Sequence, residues 1–190
     1  MYKELFSWVI AIITNPGKAW KELSNKEEKE DEFLSHFIFP LLGLVALAAF
    51  LGILFTEKDF NFQQALKIMI KYVISYFCGF YLSSYWLNEI MGNMFGKEKD
   101  LKLCQRFVGY SSVMMYALTI VLSLLPVADF FFLRIFLLYT IYIVWEGAMP
   151  YLQIEEKDNL KFVIIASALI ILLPQIIEIL MFMLMPGMRV

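Results

Sequence analysis

Ionisable residues inside apolar stretches are the positions where this chain could do chemistry, because a buried charge is costly and usually functional. Lys71, Arg134 and Glu178 are expected toward one side of a membrane, by their positions within long apolar runs. Opposite charges attract strongly away from water, so Glu178 is expected to pair with Lys71 or Arg134. This predicted outer polar cluster is typical of a polar cavity in a transporter or channel subunit.

A second set of ionisable residues lies near the opposite ends of the apolar runs. His36, Glu89 and Glu146 form this predicted inner polar cluster, with Arg106 or Lys161 as neighbours. A histidine beside a carboxylate can act as an acid–base pair, which would indicate an intramembrane enzyme. A structural interpretation of both clusters is snorkelling side chains and one helix-binding ion pair. The positions near the ends of the runs favour that structural interpretation.

Other catalytic patterns are missing from the sequence. It contains no G-x-S-x-G, no H-E-x-x-H and no glycine-rich phosphate loop. Cys78 and Cys104 lie in or beside apolar segments, which is typical of packing residues, and one histidine cannot build a metal site alone. The acidic pair Glu155 and Glu156 lies in a lysine-containing polar loop, as solvated charges do. The sequence therefore predicts a non-enzymatic protein without cofactor or metal.

The elements that must position these residues are long apolar helices. The chain is 61% hydrophobic, above the roughly 45–50% of soluble domains, and its mean hydropathy is +0.68. A spanning helix needs about 20 apolar residues, and five stretches qualify. The prediction is an all-α, polytopic bundle over 33–190, preceded by short N-terminal helices within 1–32. The spans are approximately 34–55, 67–91, 106–126, 130–151 and 162–185.

Lysine and arginine counts predict the orientation of the bundle, because cytoplasmic segments carry an excess of both. With the N-terminus inside, 11 of the 16 Lys and Arg residues lie inside and 5 outside. The five outside are Lys58, Lys67, Lys71, Arg134 and Arg189. We therefore expect the N-terminus inside and the C-terminus outside. The net charge of −2 argues against a nucleic-acid partner.

The first apolar run is too short to be a sixth span. Leu5 to Thr14 would give a helix of about 15 Å, half of a bilayer core, and no A-x-A-like cleavage site follows it. Its apolar residues share one helical face: Leu5, Trp8, Val9, Ile12 and Ile13. The segment is expected either to lie on the inner leaflet or to pack on the end of the bundle.

The stretch NPGKAW, residues 15–20, predicts the start of a second short helix. Asn15 is a favoured N-cap and Pro16 suits the first helical position. Trp20 is expected at the headgroup level, where tryptophan is enriched. Trp8, Pro16 and Trp20 are thus the predicted interfacial anchors.

Small residues at four-residue spacing predict close packing between spans. Ser75, Gly79 and Ser83 form such a stripe on the second span, and Ala48 and Gly52 repeat it on the first. Prolines should kink helices or end them, because proline lacks an N–H and clashes with the preceding turn. They lie at positions 40, 126, 150 and 174.

The chain resembles the Yip family of small membrane proteins in two stretches and in its five-span layout. The stretches are NPGKAWKEL, residues 15–23, and GKEKDLKLCQRFVGYSSVMMYALTIVLSLLP, residues 96–126. The resemblance implies a helical bundle with a cytoplasmic N-terminus and no agreed catalytic residues. Eukaryotic members act in vesicle trafficking as membrane-embedded adaptors that interact with Rab GTPases. This chain shows no Asp-Leu-Tyr-Gly-Pro stretch and has Met114-Met115 where a proline is frequent, so its short form looks like that of bacterial members in a cytoplasmic membrane.

Two functions remain open from the sequence. The leading hypothesis is a non-enzymatic adaptor or organiser that acts through residues 1–32, 92–105 and 152–161. Its partners would be membrane lipids and a membrane or cytoplasmic protein, and an oligomer is compatible with the sequence. The alternative is a small transporter or channel subunit that uses Lys71, Arg134 and Glu178.

Overall fold

The protein is built from helices in the computed structural model, which describes residues 2–26, 33–56, 60–125 and 130–184. Two short helices come first, α1 (Tyr2–Thr14) and α2 (Pro16–Ser24). Longer elements follow: a π-helical turn (Leu34–Ile38), α3 (Phe39–Thr56), α4 (Phe62–Phe95), α5 (Leu101–Ser111), α6 (Val113–Leu124), a 3₁₀ helix (Phe131–Leu138), α7 (Tyr139–Leu152) and α8 (Glu156–Leu184). This confirms the predicted all-α class.

Within the described residues, five helical segments are long and apolar enough to cross a membrane, as the sequence predicts. They are span one (Leu34–Phe55), span two (Phe62–Phe95), span three (Leu101–Leu124), span four (Phe132–Leu152) and span five (Glu156–Leu184). Span two is longer than predicted at both ends, and its 34 residues give about 51 Å of helix. A bilayer core is about 30 Å thick, so span two tilts or extends beyond it.

Three of the spans depart from a plain α-helix. Span one begins with the π turn, in which the Phe39 N–H donates to the Leu34 carbonyl, just before Pro40. The wider turn gives room to the proline ring, which would otherwise meet the carbonyl four residues earlier. Span three is interrupted at Ser112, whose hydroxyl donates to the Val108 carbonyl, a bond that bends helices. Span four begins as the 3₁₀ helix.

The other predicted prolines behave differently from Pro40. Pro174 lies inside α8, which continues through it, and Pro150 lies inside α7 two residues before that helix ends. Pro126 lies outside the described residues. The expectation that prolines kink or end the spans is therefore met most clearly at Pro40, by a change of helix type.

The N-terminal helices pack on the bundle. Leu5 and Ile12 of α1 are buried, and Trp8, Val9 and Ile13 pack partly buried against the same hydrophobic core. The Tyr139 hydroxyl donates to the Ile13 carbonyl at 2.9 Å, which ties α1 to span four. The opposite face of α1 exposes Phe6 and Ile10. Packing on the end of the bundle, one of the two predicted arrangements, is the one observed.

Helix α2 begins as predicted and then buries its tryptophan. The Asn15 side chain accepts from the Lys18 N–H at 3.2 Å, and Pro16 occupies the start of the helix. Trp20 is fully buried, and its Nε1–H donates to the Ile143 carbonyl at 2.9 Å. The predicted interfacial role of Trp20 is therefore wrong: its indole binds the bundle, and Pro16 is buried as well. Trp8, the third predicted anchor, is half-buried beneath the Lys26 ammonium.

Glycine makes room for the buried indole. A Cβ at Gly147 would lie 2.5 Å from Cε2 of Trp20, so no other residue fits there without displacing the ring. Around the same ring, Phe107 lies at 5.1 Å and Tyr151 at 5.0 Å between centroids. α2 is thus joined to the start of span three and the end of span four.

Small residues bring the spans close together, in the stripe that the sequence indicates. Ser75, Gly79 and Ser83 are all buried, and a Cβ at Gly79 would meet the ring of Pro174 at 2.6 Å. Further along the stripe, the Ser83 hydroxyl donates to the Leu169 carbonyl at 3.0 Å. Spans two and five therefore approach each other closely from Gly79 to Ser83.

Spans two and four end in the same way with different residues. Each ends at a residue with left-handed backbone, Gly96 (φ 62°) and Gln153 (φ 53°). In both, the next N–H donates six residues back, from Lys97 to Met91 and from Ile154 to Ala148. Glycine adopts this backbone without strain, whereas glutamine does not.

Gln153→Gly is therefore expected to stabilise the protein by about 1 kcal/mol. The measurement is the thermal unfolding midpoint in detergent, followed by circular dichroism. The matched control is Gly96→Ala, which should destabilise by a similar amount because a Cβ there touches nothing and only the backbone strain changes. A Gln153→Gly protein less stable than the parent would contradict the strain argument.

Candidate functional site: a polar cavity in one half of the bundle

A cavity of about 640 Å³ lies at the end of the bundle opposite the N-terminal helices. All five spans contribute to its wall: the end of span one, the beginning of span two, the end of span three, the 3₁₀ helix of span four and the end of span five. A cavity of this size is in the range that small-molecule sites occupy.

An ion pair joins spans two and five across this cavity. The Lys71 Nζ lies 2.7 Å from the Glu178 Oε1, with side-chain exposures of 13% and 31%. The ammonium also lies 4.2 Å from the ring centroid of Tyr72, a cation–π contact. Spans two and five run in opposite directions and touch through Gly79 and Pro174. That contact brings the beginning of span two next to the end of span five, where the two charges meet.

Arg134 lines the same cavity from the 3₁₀ helix of span four. The structure thus brings the three residues of the predicted outer polar cluster to one site, with Lys71 and Glu178 paired directly. The described lining residues carry two cationic side chains and one carboxylate. Gln175 and Ser75 add further polar groups to the wall, and the Ser75 hydroxyl donates to the Lys71 carbonyl at 2.7 Å.

Tyrosines form a part of the wall that the sequence analysis missed. The Tyr76 hydroxyl is hydrogen-bonded to the hydroxyl of Thr119, which links spans two and three. Tyr72 stacks on Tyr76, and Tyr76 packs against Tyr116 with centroids 5.1 Å apart. Tyr72 and Tyr76 are four residues apart and share a helical face with Ser75 and Gly79 of the small-residue stripe, which is the signal that could have found them.

The predicted inner polar cluster is not formed. Glu89 pairs with Lys99 at 2.6 Å, in the connection that follows span two. Glu146 lies against the beginning of α2, where a Cβ on Gly17 would be 2.6 Å from its Oε2. His36 is exposed on span one, and among the described residues no hydrogen bond or ion pair joins it to either glutamate. The interpretation of His36 as half of an acid–base pair is therefore wrong.

Glu146 has a structural role that the sequence did not reveal. Its carboxylate lies at the N-terminus of α2, where backbone N–H groups lack partners and the helix dipole favours negative charge. Together with the next residue, Gly147, it positions α2 on span four. Glu146 and Gly147 thus form the contact surface of span four for the NPGKAW stretch.

Two ion pairs outside the spans are solvated. A hydrogen bond from Lys26, at 3.0 Å, lowers the pKa of the Glu4 carboxyl, and attraction between the two charges adds to this effect. Glu155 is paired in the same way with Lys157 at 2.7 Å, which lowers the pKa of Glu155. Glu155 and Glu156 are both exposed, as expected for a solvated charge run. Exposed pairs of this kind contribute little to stability.

Metal ligands do not converge in the part of the chain that the structure describes. No group of three His, Cys, Asp or Glu side chains there could hold a metal ion. Cys78 and Cys104 are free thiols, one half-buried and one buried. The cavity therefore offers an ion pair, hydroxyls, an amide and an apolar wall for binding.

Removing one partner of the Lys71–Glu178 pair should destabilise the protein. Glu178→Ala leaves a largely buried ammonium without its hydrogen-bond partner, at a cost of about 1.5–3 kcal/mol. The double variant Lys71→Met with Glu178→Leu is expected to recover most of that loss, because no charge then stays buried. Thermal unfolding in detergent measures both. Glu155→Ala, at the exposed pair, is the control and should cause no measurable change; equal effects at the two pairs would contradict the burial argument.

Five apolar spans packed around a polar cavity define a polytopic α-helical membrane protein. The chain belongs to the Yip1 domain family, whose model matches residues 10–177. That match covers helix α1 from Ile10 onward, helix α2, spans one to four in full and span five up to Ile177. No curated protein and no solved structure gave a significant match.

Proposed function

We propose that the protein is a non-enzymatic membrane protein that binds a small ligand in the cavity and gives it a polar path into the bundle. The single observation that carries this is the Lys71–Glu178 pair placed in the wall of a cavity of about 640 Å³. This function corresponds to the transporter or channel alternative from the sequence.

The position of the ion pair supports a ligand site over a purely structural role. An ion pair that only joins two helices needs no access from outside, whereas Lys71 and Glu178 both line a cavity of about 640 Å³. Arg134, Tyr72 and Thr119 line the same cavity. A few polar groups in an otherwise apolar, concave wall are typical of a ligand site.

The proposal also includes the orientation of the protein in the membrane. With the N-terminal helices on the cytoplasmic side, as the lysine and arginine count favours, the cavity lies in the outer half of the membrane. The ligand would then enter from the outer side or from the outer leaflet.

Cysteine accessibility tests the proposal in proteoliposomes. After replacement of Cys78 and Cys104, Ser75→Cys and Gln175→Cys place thiols in the cavity wall. Both should react with a small, charged thiosulfonate reagent. Ala148→Cys, fully buried at the other end of the bundle, should not react. Leu172→Cys, on an exposed apolar side of span five, should not react either, because a thiol in apolar surroundings stays protonated. If neither cavity position reacts, the proposal fails.

An adaptor function is the second candidate, supported by where the polar segments meet. Helix α2 buries Ala19, Trp20 and Leu23 against the bundle and exposes Lys18, Lys21 and Glu22. The connections at 96–100 and 153–155 lie at this same end of the bundle, as their positions between the spans require. Together they form one polar surface, which we name the N-terminal face.

Photo-crosslinking in cells tests the adaptor function. A crosslinking residue at Lys21 or Glu22 should capture a defined protein partner, whereas one at Phe62, exposed at the other end, should not. The same captured species from all three positions would show non-specific contact and would exclude the N-terminal face as a partner site.

A further inference from the structure

The charges of the cavity favour an anion. The Lys71 ammonium has three N–H donors; one donates to Glu178, and the ammonium also contacts Tyr72, which leaves a third donor for a ligand. It can therefore donate to a bound anion and stay paired with Glu178. Arg134 adds a second cation to the described wall, whereas Glu178 is its one carboxylate.

The remaining wall favours an acyl chain. Ile68, Leu118, Leu122 and Leu137 line the cavity beside the polar groups. Near the end of span five, Ile179 and Phe182 line it while being 55% and 41% exposed. Large apolar side chains at such a position suit a ligand that is itself partly apolar. A small hydrophilic solute would gain nothing from them.

The volume suits one small ligand. At about 640 Å³, the cavity lies within the range of small-molecule sites. A single-chain amphiphile with a small head is the smallest ligand that combines a charged group with an acyl chain.

We propose that the ligand is a single-chain anionic amphiphile, with one carboxylate or phosphate head that binds Lys71 on the Arg134 side and one acyl chain along the apolar wall. This inference rests on the binding function proposed above. It names a ligand class and leaves the direction of any transport open.

Protection of a cavity thiol tests the ligand class. Gln175→Cys protein, in nanodiscs of phosphatidylcholine, is labelled with the thiosulfonate with and without added amphiphile. Myristate and lysophosphatidate should each slow labelling by about tenfold at roughly ten times their dissociation constants. Three control compounds each lack one feature of the ligand. Tetradecyltrimethylammonium has the chain with a positive charge, and tetradecanol has the chain without a charge. Inorganic phosphate has the anionic head without the chain. None of these three should protect.

Two charge variants give effects of opposite sign in the same assay. Lys71→Gln should weaken myristate binding by about ten- to hundredfold, because a charge-assisted hydrogen bond to the head is lost. Glu178→Gln should strengthen it, because an amide competes less well than a carboxylate for the Lys71 ammonium. A merely structural role for the pair would instead weaken binding in both variants.

The outcomes separate this inference from the function on which it rests. Labelling at Gln175→Cys without protection by myristate overturns the ligand class and leaves the accessible cavity intact. Equal protection by the cationic amphiphile or the alcohol shows an apolar cavity only, and protection by phosphate alone shows a free-anion site; each overturns the proposal. No labelling at all removes the proposed function itself.

Discussion

Trp20→Ala is expected to release the two N-terminal helices from the bundle. The substitution removes a fully buried indole, its hydrogen bond to the Ile143 carbonyl and its contacts with Phe107 and Tyr151. Replacing a buried tryptophan by alanine costs about 3–5 kcal/mol. Because Trp20 is the largest fully buried side chain of α1 and α2, the loss should appear as local undocking of these helices. The undocked population should rise by about two to four orders of magnitude.

Limited proteolysis measures this undocking. Trypsin cleavage at Lys18 and Lys21, which are exposed on the docked helix, should accelerate strongly because a protease needs local unfolding. Trp145→Ala is the matched control, because that indole is 43% exposed near the same end of span four. Gly147→Ala offers an independent route, since its methyl group would displace the Trp20 ring. Unchanged cleavage in both Trp20→Ala and Gly147→Ala would show that the docking depends on other contacts.

Gly52→Ala is expected to force spans one and three apart. A Cβ at this position would lie 2.0 Å from the carbonyl oxygen of Ser123, a backbone atom that cannot rotate away. Overpacking costs about 1–3 kcal/mol, and a clash with backbone belongs at the upper end, about 3 kcal/mol. The result should be a lower thermal unfolding midpoint in detergent. The cavity should change as well, because Gly52 and Ser123 both line it.

Gly43→Ala is the control within the same helix. A Cβ on Gly43 touches nothing within 4 Å, so this substitution changes only the helix propensity. Alanine is favoured over glycine inside a helix by up to about 1 kcal/mol, so Gly43→Ala should be neutral or stabilising. Equal midpoints for the two alanine variants would refute the close approach of spans one and three.

Much of the bundle follows from local properties of the sequence. The number and order of the spans depend on runs of apolar residues, and the cap of α2 depends on Asn15 and Pro16 alone. The meeting of Lys71 and Glu178 was predictable because alternating spans fix the depth of each residue. The stripe of Ser75, Gly79 and Ser83 was readable from its four-residue spacing. In each case the signal comes from residue type and period along one stretch of chain.

The prediction of the inner polar cluster and the prediction of an interfacial Trp20 were wrong for a common reason. Their similar depth along spans one, two and four predicted that His36, Glu89 and Glu146 would meet. The three side chains instead face different parts of the structure. Their rotation about the helix axes depends on non-local packing, and Glu89 pairs with Lys99 while Glu146 lies against Gly17. Trp20 binds the carbonyl of a residue 123 positions away, through a pocket that exists only because Gly147 lies opposite it.

The sequence by itself determined that this is a five-span helical membrane protein with a charged pair toward one end, because apolar length and helical period act locally. Only the tertiary structure decided which faces of those helices meet, and therefore where the cavity lies and what binds Trp20. In a membrane, lipid is as apolar as a helix face, so apolar character cannot distinguish a face that packs from one that contacts lipid. Shape decides that distinction, through the close approaches at Gly52, Gly79 and Gly147.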